Sequence, residues 1–286
     1  MGAGVPPDGS WPGGRGGSPS RRAAAGRRAA LLAAACAAGG ALMLAACGPS
    51  AGRPPTAGKP SGTVVVFAAT SLSAAFDAIG ARFEKAHPGM AVKFNFNGSS
   101  SLATSLKQGA PADVFASANT ANMAVVTGDK LASGTPKVFA RNQAEIMVEA
   151  GNPRHVKTVG DLASPAVKVV LCAPEVPCGA LARDVLRNAG VTVRPASEET
   201  SVGGVVTKVS LGEADAGIVY VTDVKAAGDK VAGVPIPAAQ NETADYPIVA
   251  LKDAPDAGAA AAFIGYVLGP DGQRVLASYG FLPPGA

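Results

Sequence analysis

Three predicted strands in this sequence deliver small or hydroxyl residues to predicted helix starts. Phe67 leads to Ser71, Phe96 leads to Ser99, and Leu171 leads to Pro177-Cys178-Gly179. Open α/β sheets bind ligands beyond the carboxyl ends of their strands. Helix N-termini at that edge present N–H groups with no intrahelical acceptor, together with about half a positive charge. Several of them converging would make an anion site without Lys or Arg. A plainer role is open for each Ser, as an N-cap serving only its own helix. Tyr220, in the run Ala216–Val221, either adds a phenol to such a site or packs in a core with its hydroxyl satisfied by backbone. Asp223 reads as a cap or hinge partner rather than a ligand.

Enzymatic chemistry finds little to work with. There is no Gly-x-Ser-x-Gly elbow, no His-Glu-x-x-His helix and no Cys-x-x-Cys pair. His87 precedes Pro88-Gly89 at a predicted helix end, and His155 lies in a polar turn; neither neighbours a nucleophile in sequence. Two His and four Cys are few ligands for zinc. No Gly-x-Gly-x-x-Gly or Walker loop follows a strand, so nucleotide chemistry is disfavoured.

The elements that must position these residues alternate. Val64–Phe67 reads as a buried parallel strand. Leu72, Phe76, Ile79 and Phe83 mark one face of a helix running to about Ala86, where His87-Pro88-Gly89 ends it. Val92–Phe96 and Val114–Ala116 are further strands, with a helix between them. Strands follow at Glu145–Glu149, Val167–Leu171, Ala216–Val221 and Asp245–Leu251. Helices are predicted over Pro177–Ala189, Val202–Leu211, Ala257–Leu268 and Asp271–Tyr279. This alternation is the α/β signature.

The 286 residues carry 25 Lys+Arg and 21 Asp+Glu. Residues 1–46 hold five of the Arg and one acid, Asp8, so the remainder is balanced at 20 of each. The basic excess belongs to the leader, and no nucleic-acid footprint is expected beyond it. Arg21, Arg22, Arg27 and Arg28 precede the apolar run Ala29–Ala46, the pattern of an export signal over residues 1–46. A membrane-spanning helix is the rival, but Ala and Gly partition weakly into lipid. The run ends in Leu44-Ala45-Ala46-Cys47, which resembles a bacterial lipobox with Cys47 as the acylated residue. Residues 47–61, rich in Pro and Gly, then read as a lipidated flexible tether at the outer face of a membrane.

Several blocks resemble one family. Phe67-Ala68-Ala69-Thr70-Ser71-Leu72 is similar to the first-strand motif of periplasmic molybdate-binding proteins, the ModA family of receptors for ABC importers. Asn97-Gly98-Ser99-Ser100-Ser101-Leu102 resembles their second serine loop. Gly109–Ala118 (GAPADVFASA) and Gly217–Asp223 (GIVYVTD) resemble two further blocks, and Tyr246-Pro247-Ile248, Gly269-Pro270 and Tyr279-Gly280-Phe281 the crossover and the tail. The resemblance spans about residues 62–283 in family order.

It implies an α/β, type II periplasmic-binding-protein fold: two α/β lobes joined by a two-crossover hinge near Arg141-Asn142 and Tyr246-Pro247. Lobe I would be 62–142 plus 249–286, and lobe II 143–248. It implies an oxyanion held by the side chains of Ser71, Ser99 and Tyr220 and by backbone N–H groups at Cys178 and Val202. Cys178 departs from the family's Pro-Ala-Gly turn, but the donor there is main chain. Val202 is placed by spacing alone, eighteen residues before Tyr220. The function implied is an exported, membrane-anchored receptor that captures molybdate, and tungstate of nearly the same size, for an ABC permease. The chain would act as a monomer, with no enzymatic activity and no cofactor, the metal being held as its oxyanion and not by direct ligation. A same-fold receptor for another oxyanion such as sulfate is the alternative, and a secreted hydrolase a more distant one. Hydrogen phosphate would ask for a proton acceptor, and none of the expected contacts is acidic.

With Cys36 in the leader and Cys47 lipidated, Cys172 and Cys178 remain, with five residues between them. In an oxidising compartment such a pair often forms a disulfide. Two buried free thiols and a redox-active pair are the other readings.

Overall fold

The computed structural model describes residues 62–285. The export segment 1–46, Cys47 and the tether to residue 61 lie outside the described residues. Among those described, no helix is long and apolar enough to cross a membrane.

The first strand, β1 (Gly62–Ala69), lies between β2 (Met90–Asn97) and β3 (Val114–Ala116), all parallel. A single 3-10 turn, Thr70–Leu72, links β1 to α1 (Ser73–Ala86). Helix α2 (Ser99–Lys107) follows β2, and α3 (Thr120–Gly128) follows β3. The side chains of β1 alternate, as a strand buried on both faces requires. Val64 and Val66 join Phe76, Ile79 and Phe83 of α1 in one apolar cluster. Phe67 joins Leu102, Leu106, Phe115 and Val126 in another on the opposite face. Phe76 is fully buried, with the rings of Phe94, Phe139 and Phe263 at 5.7–6.0 Å between centroids.

The chain then runs into β4 (Ala132–Glu149), eighteen residues long. Sequence periodicity picks out only its last five residues, because Gly134 and Pro136 read as turn formers. The strand absorbs them in register shifts, with two extra residues between Ser133 and Lys137 and one between Val138 and Ala140, which relax the ladder. The remaining elements are β5 (Val169–Cys172), α4 (Pro177–Ala189), β6 (Ser197–Glu199), α5 (Val202–Ser210), β7 (Ala216–Tyr220), α6 (Val221–Ala227), β8 (Val231–Pro235), β9 (Thr243–Leu251), α7 (Ala257–Leu268) and α8 (Pro270–Ser278).

The nine strands form one mixed sheet in the order β2-β1-β3-β9-β4-β7-β5-β6, with β8 also on β4. Two antiparallel strands carry the chain through its middle. The first part of β4, to Gln143, pairs with β9, while Ala144–Glu149 pair with β7 and β8. Strand β9 pairs with β3 through Ile248–Ala250 and with β4 on its other edge. On the far side β7, β5 and β6 are parallel to one another.

Asp113, inside the Gly109–Ala118 block, is a structural residue. It is fully buried and accepts from the N–H groups of Val65 and Asp256, both at 2.7 Å. It thereby ties β1 to the start of α7. Asp113→Ala orphans two backbone donors, each worth about 1–3 kcal/mol. The expected loss is about 2–5 kcal/mol in urea unfolding monitored by circular dichroism.

Candidate oxyanion site

A small cavity of about 10 Å³ lies at the carboxyl ends of the parallel strands. It is lined by Ala69, Thr70, Ser71, Asn97, Gly98, Ser99, Ala118, Val176, Pro177, Cys178, Val202 and Tyr220. All five residues expected to meet an oxyanion therefore stand in one place. They arrive from five strand ends: Ser71 after β1, Ser99 after β2, Cys178 after β5, Val202 after β6 and Tyr220 at the end of β7. No Lys, Arg, His, Asp or Glu is among the lining residues.

The helices that open onto the cavity lack side-chain caps. This holds for α2, α4 and α5, whose capping residues are Gly98, Val176 and Ser201. Of the other helices, α3 and α7 are capped, Asn119 accepting from Asn122 N–H and Asp256 from Ala259 N–H, while α1 and α8 also lack a side-chain cap. Cys178 is the second residue of α4 and Val202 the first of α5. Their N–H groups precede any carbonyl that could accept from them within the helix. Three helix N-termini thus bring unspent donors and partial positive charge to the cavity.

Neither Ser serves as a cap. Ser99, buried, accepts from Ala118 N–H at 3.1 Å, which leaves its own proton for the cavity. Ser71 Oγ lies 2.9 Å from Tyr246 Oη. Asn142 Nδ2 donates to Tyr246 Oη at 3.5 Å and to Thr222 Oγ1 at 2.8 Å. Either hydroxyl can donate in the Ser71–Tyr246 bond; with Tyr246 as the donor, the Ser71 proton is free for the cavity. Tyr220 Oη is buried and has no hydrogen-bond partner among the described residues. An orphaned buried hydroxyl costs about 1–3 kcal/mol, and an acceptor placed in the cavity would satisfy it.

Sequence reasoning missed the residues behind this first layer. Tyr246 and Asn142 were legible only as crossover positions, and nothing in their types marks them as partners of Ser71. Ala118 contributes a main-chain N–H, which no residue type announces. The structure joins Cys172 to Cys178 in a disulfide, Cα to Cα 5.7 Å. The bond ties the last residue of β5 to the turn that presents the Cys178 N–H.

Burial first, then the nearby Tyr246 and Asp223, raises the Tyr220 phenol well above its ordinary value. Burial and Asp223 also raise Tyr246. Both remain donors at neutral pH. Asp223, buried just behind, accepts from Tyr220 N–H at 3.0 Å. Burial pushes its carboxyl up to about 7, with that hydrogen bond opposing the shift. In the unfolded chain it titrates near 3.8. Between those values folding takes up a proton, so its contribution makes stability fall as pH rises from about 4 to about 7 and level off above. Asp223→Asn keeps an acceptor for Tyr220 N–H and removes the titration. Urea unfolding at a series of pH values is expected to show a flatter profile across that window, by a few kcal/mol in all.

The chain matches the model of the family described as bacterial extracellular solute-binding protein over residues 64–282. A protein of Mycobacterium tuberculosis named molybdate-binding protein ModA is 43% identical over 243 residues, covering 84% of this chain and 93% of that relative. An Escherichia coli protein of the same name is 30% identical over 239 residues, covering 77% of this chain and 89% of that relative. Among solved structures, the Azotobacter vinelandii periplasmic molybdate-binding protein superposes with a TM-score of 0.67 at 21% identity, over 78% of this chain and all of that one, a likeness of fold alone. With a family match over most of its length and the named cavity at the expected strand ends, the chain belongs to the bacterial extracellular solute-binding proteins and is a receptor, not an enzyme.

Proposed function

We propose that this protein captures molybdate outside the cytoplasm and passes it to an ABC permease, and that it accepts tungstate in the same cavity. The observation that carries the reading is an uncharged cavity where the hydroxyls of Ser71, Ser99 and Tyr220 meet three uncapped helix N-termini. A tetrahedral dianion has four oxygens and wants donors on every side. Hydroxyls and main-chain N–H groups supply them in place of water. The cavity offers no carboxylate to accept the proton of hydrogen phosphate, which counts against that ligand. The names of the mycobacterial and E. coli relatives support molybdate in particular.

In this reading Ser71 and Ser99 belong to one lobe, 62–142 plus 249–286, and Cys178, Val202 and Tyr220 to the other, 143–248. Strands β4 and β9 cross between them, so an anion bound by donors from both sides favours the closed arrangement. The permease would read that closed state. Calorimetry with molybdate, tungstate, sulfate and phosphate tests the assignment: molybdate and tungstate are expected to bind, and sulfate binding tightly without molybdate heat would reassign the ligand. Tyr220→Phe is expected to leave ligand-free stability undiminished, since it removes an orphaned hydroxyl. The same change is expected to weaken molybdate binding roughly 10- to 100-fold, the value of one hydrogen bond to a charged group.

The anchor is part of the same proposal. Export through residues 1–46 and acylation at Cys47 would hold the receptor on the membrane by the tether 47–61. Cys47→Ser is expected to move the protein from the membrane fraction to the soluble one and to abolish labelling by a clickable palmitate analogue.

A further inference from the structure

Two glycines at the cavity face backbone or side chain from the opposite side of the cleft. Gly98, between β2 and α2, has φ −58° and ψ 136°, a conformation open to any residue. Its backbone therefore does not ask for glycine. The reason for glycine lies across the cleft, where a Cβ would overlap the carbonyl oxygen of Thr200 and stand 3.6 Å from Ser201 Cα, in the segment leading from β6 to α5. Gly203, the second residue of α5, faces back: a Cβ there would lie 2.9 Å from Thr70 Cγ2, in the turn after β1. A third contact has the same direction, with Asn122 Nδ2 of α3 donating to the Glu175 carbonyl at 3.5 Å.

We infer that Gly98 and Gly203 are the seats on which the two sides of the cleft close, and that the contact of Gly98 with the Thr200 carbonyl is the stop that sets the width of the oxyanion cavity. This rests on the receptor reading above. A stop made of main chain has no rotamers and does not yield, whereas a stop made of side chains would let the cavity adjust to its guest. The seats are immediate neighbours of the donors they position: Gly98 precedes Ser99, and Gly203 follows Val202. A methyl group on Gly98 would hold the α5 side about an ångström or more away from the α2 side. Hydrogen bonds weaken steeply over such a distance, so a guest could satisfy one side of the cavity but not both.

The test compares full-length wild type, Gly98→Ala and Gly203→Ala by molybdate calorimetry, ligand-free melting and small-angle scattering with and without molybdate. Gly98→Ala is expected to melt ligand-free within about 2 °C of wild type, since its backbone conformation suits alanine. Its molybdate affinity is expected to fall at least about 100-fold, with the ligand-induced contraction lost. Gly203→Ala sits in a helix that alanine favours, so melting is not lowered, while affinity falls about tenfold. In a Thr70→Ser background, which lacks Cγ2, the same Gly203→Ala change is expected to alter affinity less than about threefold, the coupling that a direct contact predicts.

Gly98→Ala binding molybdate within about threefold of wild type overturns the proposal. So does a Gly203→Ala effect that Thr70→Ser leaves untouched. A ligand-free melting point lowered by more than about 5 °C in Gly98→Ala also overturns it, because the contact then belongs to the fold and not to closure. Wild type that contracts around sulfate and not molybdate overturns the ligand assignment alone, and the glycine variants are then read with sulfate. Wild type that contracts around none of the four oxyanions overturns both.

Discussion

A doubly charged anion leaves water only where fixed dipoles take over its hydration shell. In the proposed function the cavity between β1, β2, β5, β6 and β7 is organised around that exchange. Its donors are neutral, numerous and held in place before any guest arrives, so little reorganisation remains to be done on binding. The clearest sign is Tyr220, whose hydroxyl is buried with nothing to bond to among the described residues. Folded proteins rarely leave such a group unpaired. Here the cost falls where the proposed ligand would remove it.

The fold concentrates donors by a rule of topology. Parallel strands point their carboxyl ends the same way, and each hands the chain to a helix whose N-terminus then faces the same space. Two such sets, β1-β2-β3 and β5-β6-β7, meet across the antiparallel pair β4 and β9. The long strands also carry the second layer. Tyr246 on β9, itself bonded by Asn142 on β4, holds the Ser71 hydroxyl in place. Through Thr222, Asn142 also reaches the segment just after Tyr220. The two hydroxyls that face the cavity from opposite sides thus share a hydrogen-bonded support.

Neutrality has a second consequence. A guanidinium or ammonium in the cavity would deepen the well for any anion and weaken discrimination by shape. Dipoles fall off faster with distance than charges, so the fit between cavity and guest matters more. A boundary set by main chain at Gly98 and Thr200 suits such a design. The disulfide between Cys172 and Cys178 acts in the same sense, by limiting the freedom of the turn that carries a main-chain donor. Asp223 is the exception to the uncharged surroundings, and it is held back from the cavity, capping the Tyr220 N–H.

The sequence alone determined the local elements with strong periodicity. α1, α4 and α7 follow from apolar spacing, with His87-Pro88-Gly89 ending α1 and Pro177 opening α4, and β1, β3 and β7 from short apolar runs. It also pointed, through motif blocks in order, to the family and to five residues that the structure brings to one cavity. It failed where local chemistry and tertiary demand disagree. Gly134 and Pro136 spell a turn, yet they lie within β4 because bulges let the ladder pass. α3 and α6 are short and owe their place to packing more than to pattern. Only the tertiary structure decided the partners of the two Ser hydroxyls, Ala118 for Ser99 and Tyr246 for Ser71, 19 and 175 residues away. It likewise showed that glycine at position 98 answers a carbonyl about a hundred residues further on rather than its own backbone. Periodicity is a property of neighbours along the chain, whereas donor direction and cavity width are set by what the fold places across the gap.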